Sequence, residues 1–171
     1  MTFRRAQPKW IFRQLLNALG IKTPLRTPYR FATKGEMLKD CKDQATLKAG
    51  VHATMSCSRP QAGRFHNRPV GQHCGYCVPC IIRRASLQAV ALDEEPRVIE
   101  VLSREIKAKD AAGCDKRAFL MAISRLKAMT PLQVISEVLS TGPLDTGELD
   151  GLIGVHRRGM AEVEGFLRQK Q

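Results

Sequence analysis

Acidic residues are scarce in the first half of this 171-residue chain. Residues 1–91 contain only Glu36, Asp40 and Asp43, against 16 lysines and arginines. Residues 92–171 are balanced, with 12 basic and 13 acidic side chains. The net charge of +12 is therefore a property of the first half. A field of that sign attracts phosphates, nucleotides or nucleic acid. Aromatic residues are also few, at 5%, so a core must be built mostly from Leu, Ile, Val, Ala and Met. No apolar run approaches the ~18 residues of a spanning helix. The start "MTFRRAQPKW" is basic, but no apolar segment follows it as in a secretory signal. These absences exclude a spanning helix and argue against a membrane partner. The expected compartment is the cytoplasm, where reducing chemistry favours clustered cysteines as metal ligands over disulfides. A glycine-rich phosphate loop is missing too: none precedes Pro8.

What the chain does have is a concentration of thiols. "HCGYCVPCIIRRA" places Cys74, Cys77 and Cys80 within seven residues, and Cys57 stands 17 positions earlier. Three neighbouring thiols cannot pair off among themselves without leaving one over. Together the four read C-x16-C-x2-C-x2-C, the ligand count of one tetrahedral ion. Zinc prefers four sulfurs, and a closed four-Cys site is structural. C-x2-C-x2-C is also part of an iron–sulfur ligand set, which is the rival reading, with free thiols the third. His66 and His73 are able to replace a cysteine, although a solvated loop histidine is the plainer reading of each. Cys41 and Cys114 read as ordinary buried or half-buried thiols. Four thiolates on a divalent ion leave a charge near −2. A helix starting near Cys80 would point N–H groups at that charge, and Arg83 and Arg84 would compensate it.

The periodicity predicts a helix over 8–19, with Pro8 in its first turn and Gly20 as its C-terminal cap. Ile11, Phe12, Leu15, Leu16 and Leu19, with Trp10, give it a wide apolar arc. "IKTPLRTPYRF" reads as extended chain or an edge strand, because of its prolines. Thr33 and Glu36 form a capping box that opens a second helix, which accounts for Thr33, Lys34 and Glu36 without catalysis. Residues 50–75 are a long irregular stretch that needs something to tie it down; a metal would. Further helices are expected from Pro79 to about Leu92, and over 97–109, 115–128, 131–140 and 146–169, the last capped by Asp145. The expected fold class is mainly α, with a four-Cys zinc knuckle and one short extended segment. Residues 1–92 form the basic zinc-binding part and 93–171 a helical tail.

The same residues carry a resemblance. "TPLRTPYRFATKGEM", "TMSCS" and "CGYCVPCIIR" are similar, in order and spacing, to the proline turn, "TK-x-E-I", "T-x-S-C" and "C-G-x-C-x-x-C-x-x-R" of the 7-cyano-7-deazaguanine synthase (QueC) family. "RAQPKWI" looks like the family's "D-x-R-P-E-F-I", with Pro8 and Ile11 in register and with Arg5 and Gln7 departing from it. The tail "STGPL" and "HRRGMAEVEGFL" looks closest to the QueC-like branch (QatC) of the Qat anti-phage defence system. The resemblance implies zinc on Cys57, Cys74, Cys77 and Cys80, and gives Arg83 a family counterpart. It also implies the C-terminal part of a Rossmann-like (adenine nucleotide alpha hydrolase-like) α/β ligase. Such enzymes adenylate a deazaguanine carboxylate with ATP and let an amine attack it.

Their "SGGxDS" phosphate loop does not occur here. ATP and Mg²⁺ are thus expected only if another polypeptide carrying the ATP-pyrophosphatase half supplies it. Lys34 and Arg83 are the candidates to face an anionic nucleotide or deazaguanine-type substrate, with Arg83 better placed to guard the zinc. The reading of another class is a zinc-stabilised basic module that binds nucleic acid, weakened by the small number of aromatics.

Overall fold

A computed structural model describes residues 6–93, 96–102, 110–142, 144 and 146–169; the side chains of residues 6–10, 111 and 112 lie outside that description. Among these residues seven helices run in the order α1 Ala6–Ala18, α2 Lys34–Lys39, α3 Gln44–Gly50, α4 Val78–Gln88, α5 Ala111–Ala128, α6 Pro131–Leu139 and α7 Leu149–Leu167. Short 3-10 turns at Val51–Ala53, Ala62–Phe65 and Thr146–Glu148 complete them. The described residues are mainly helical. Their one β-bridge joins His73 to Arg97, so the proline-bearing 21–31 segment is not part of a sheet.

Local signals account for most helix ends. Gly20 takes φ 70°, and Ile21 N–H reaches back to Leu16 O at 2.9 Å, closing α1 with the expected glycine cap. Thr33 and Glu36 form the expected capping box of α2. Thr130 and Gln133 do the same for α6, whose first turn holds Pro131. The expected second helix stops at Lys39, and Asp43 caps α3 by accepting from Thr46 N–H at 2.9 Å. Asp145, the expected cap of α7, lies outside the described residues.

The expectation of a helix over 97–109 is corrected for 97–102; residues 103–109 lie outside the described set. Val98 N–H donates to His73 O at 2.9 Å, and Ile99 N–H to Cys74 O at 3.1 Å. Val98, Ile99 and Val101 are buried. The segment is not helical because its Val98 and Ile99 N–H groups bond to the cysteine loop and its β-branched side chains enter the core beside it.

The core is continuous. Cys74, Cys77, Cys80 and Ile81 belong to one cluster with Ile99, Val101, Phe119, Ile123, Met160, Val163 and Phe166. Helix α4 packs on α7, α2 and α5, and α7 packs on α5 and α6. Packing therefore crosses the 92/93 position where the sequence suggested a boundary, and the C-terminal helices form one side of the cysteine-bearing core. Helix α1 is the exception. Among the described residues no other helix packs substantially on it, and Ile11, Phe12, Leu15 and Leu19 are exposed.

Candidate metal centre

Four sulfurs converge where the loop after α3 meets the start of α4. Those of Cys57, Cys74, Cys77 and Cys80 all lie within 4.8 Å of one another. Cys57 Sγ is 4.0 Å from Cys77 Sγ, and Cys74 Sγ is 3.9 Å from Cys80 Sγ. Disulfide bonds need about 2.05 Å, so none is formed here. Tetrahedral ligands at about 2.3 Å from a zinc ion stand about 3.8 Å apart, close to both separations. The spacing therefore matches a single tetrahedral ion. Cys74, Cys77 and Cys80 are fully buried and Cys57 is half-buried. The four-Cys group can thus hold a metal ion.

The backbone is arranged for negative sulfur. Arg59 N–H and Cys74 N–H donate to Cys57 Sγ, and Cys77 N–H donates to Cys74 Sγ, each at 3.3 Å. Cys77 caps α4 and Cys80 lies in its first turn, so the positive end of the helix faces the site as the sequence suggested. Hydrogen bonds from the Cys74 thiol, the Cys80 thiol and Ser58 hold Cys77 far below the ordinary thiol value. The same contact pushes Cys74 up to about 12, and its bond to Cys74 pushes Cys80 up as well. A divalent cation binds thiolates, so its entry releases the protons that the thiols hold.

Among the neighbouring residues, Arg84 plays another part than the sequence assigned. Arg84 was expected to offset the charge of the site. It is buried and already neutralised: its guanidinium meets Asp93 at 3.1 Å and Glu100 at 2.7 Å, and lies 4.5 Å from the centre of the Phe166 ring. Arg97 shares both carboxylates, at 3.3 and 3.2 Å. Buried charges need such pairing. Arg83 donates to Thr54 Oγ1 at 2.9 Å and to Val51 O at 2.7 Å; it fastens the chain before Cys57 to α4. Lys34 is exposed at the start of α2. His73 is not one of the four gathered ligands, although its Nδ1 lies 3.8 Å from Cys80 Sγ. His66 is exposed. Cys41 falls just beyond α2 rather than inside it and is half-buried, whereas Cys114 is exposed, contrary to expectation.

Sequence reasoning missed Gly75. It takes φ 84°, and a Cβ there would stand 2.0 Å from Ile99 O. The glycine directly after Cys74 was the available signal: only glycine lets the sulfur-bearing turn lie this close to another backbone. Compared with family models, with curated proteins and with solved structures, the chain matches none.

Proposed function

We propose that this chain is the zinc-binding C-terminal part of a QueC-like ATP-dependent carbon–nitrogen ligase acting on a 7-deazaguanine carboxylate or a related substrate, in an anti-phage defence setting. The observation that carries the reading is the cysteine quartet. Four sulfurs drawn from C-x16-C-x2-C-x2-C meet at the spacing of one tetrahedral ion. The zinc is structural in this reading: four sulfurs fill its four positions and leave none for substrate. Bound there, it fastens the 57–80 loop to α4 and so to the rest of the core. The exposed apolar face of α1 supports the same reading, as the surface against which the phosphate-loop half would pack. In that assembly Lys34 faces the anionic substrate, and Arg83 keeps the metal loop in register with α4. ATP and Mg²⁺ come with the partner half.

The test has two arms. Metal analysis of the purified chain is expected to give about one zinc per chain, lost on chelation or acidification. Cys77→Ser should remove it and loosen residues 57–80 in hydrogen exchange, while Cys41→Ser should do neither. Stoichiometric iron, or no metal, would refute the zinc site. In the second arm, the chain alone should release no pyrophosphate from ATP with a deazaguanine carboxylate. Co-expression with a polypeptide carrying "SGGxDS" should protect residues 11–30 from exchange and restore turnover. If those residues are already protected in a dilute monomer, the ligase reading fails while the metal result stands.

A further inference from the structure

The residues between Cys57 and Cys74 form a closed loop. Gly71 N–H donates to Pro60 O at 3.1 Å and joins its ends. Within it, the N–H groups of His66 and Arg68 both donate to Gly63 O, each at 3.0 Å. Gly63 is buried, and a Cβ there would meet Pro69 O at 2.3 Å, so the chain crosses itself where only glycine fits. Asn67 takes φ 51° at the tip, a conformation asparagine tolerates better than most residues. Ala62 anchors the loop in the core cluster. Candidate metal ligands stand on either side of it.

This fastening puts Phe65 outside. The ring is 83% exposed, the most of any large apolar side chain described. A ring so exposed adds little to the core and is open to a ligand. Arg64, His66 and Arg68, its neighbours in the same loop, are exposed too. No acidic residue occurs between Asp43 and Asp93 to offset them. An aromatic face inside a fixed, cationic, acid-free loop suits one ligand chemistry: a base to stack on and phosphates to either side. A duplex hides its base faces and a single strand presents them.

We propose that the 60–71 loop binds single-stranded nucleic acid, with Phe65 stacking on a base and Arg64 and Arg68 holding flanking phosphates. This binding is independent of the ligase reading, since it needs the loop and not a phosphate-loop partner.

The experiment is fluorescence anisotropy on the full chain with labelled single strands of about 12 nucleotides, RNA and DNA, the matching duplexes, and inorganic polyphosphate as competitor. Single strands should bind more tightly than duplexes. Phe65→Ala should weaken them roughly five- to a hundredfold, and Phe65→Trp should restore binding. Replacing Arg64 and Arg68 by glutamine should lower the slope of log affinity against log salt by about 1.4. Melting and metal content should be unchanged in these variants, because all three side chains are exposed. Three results would overturn the proposal: no oligonucleotide binding, as for a site meant for a protein; equal affinity of Phe65→Ala and the parent; or polyphosphate competing as well as a single strand.

Discussion

The Glu36 carboxylate lies 2.5 Å from Nε of Arg158, 122 positions later in the chain. The same arginine donates to Phe31 O at 2.7 Å. One turn further along α7, Glu162 accepts from the Thr33 hydroxyl, which itself accepts from Glu36 N–H at 3.1 Å. The capping box of α2 is thus also its docking point on α7. Thr33 is buried, whereas the Arg158–Glu36 pair is half-exposed. Thr33→Ala should cost about 1–2 kcal/mol, the upper range for a lost cap, because both roles of the hydroxyl go. Arg158→Ala should cost less than about 1 kcal/mol, as screened ion pairs do. Urea midpoints give the order, and a larger loss for Arg158→Ala would mean that the cap is not what docks α2.

Gly75 has neither the space nor the backbone geometry for a side chain. Its φ of 84° and the 2.0 Å approach to Ile99 O act together, and the obstacle is backbone rather than a side chain that could swing away. Gly75→Ala should cost at least about 1–3 kcal/mol. It should also weaken metal retention, since Cys74 and Cys77 sit on the same turn. Retention against a chelator, compared with Gly50→Ala, separates this from a general loss of stability. A Cβ at Gly50 meets nothing.

Ala91 is strained in the opposite sense. It takes φ 55° just after α4, where Leu92 N–H returns to Leu87 O at 2.9 Å and Ala91 N–H to Gln88 O at 3.0 Å. This is the Schellman arrangement, whose left-handed residue is ordinarily glycine. Ala91→Gly should therefore stabilise the protein by about 1 kcal/mol. A thermal midpoint that falls instead would show that the methyl group matters more than the backbone relief.

His156 on α7 lines a groove of about 680 Å³ with Arg125 and Met129 of the α5 end and Gln133 and Glu137 of α6. Burial lowers its pKa from the ordinary 6.5, against the pull of Glu137 and with help from Arg157. The unfolded chain then binds a proton that the folded chain refuses, so stability is full above about pH 6.5 and falls as the pH drops towards the folded value. His156→Gln should flatten the loss between about pH 7 and pH 5. The measurement is the difference between variant and parent in denaturation midpoint, which cancels the acid lability common to both. A constant difference across that range would contradict the neutral, half-buried histidine.

What the sequence determined by itself was local. The C-x2-C-x2-C spacing brings three sulfurs together within a turn and the first helical positions after it. Thr33 and Glu36 meet because they are three residues apart, and Gly20 ends α1 by its own backbone freedom. None of these needs a distant partner, so composition and spacing reveal them. Cys57, 17 positions before the cluster, was legible through the ligand count of the ion and the family resemblance rather than through spacing.

Tertiary structure decided the rest. Residues 97–102 have the apolar spacing of a helix, but the carbonyls of His73 and Cys74 take the N–H groups of Val98 and Ile99. Arg84 follows the cysteines in sequence, yet Asp93, Glu100 and Phe166 set its surroundings. Phe65 carries no signal in the sequence, and only the folded loop shows its ring in solvent. In each case the outcome depends on hydrogen bonds and packing between residues far apart in the chain, and no periodicity within one segment encodes them.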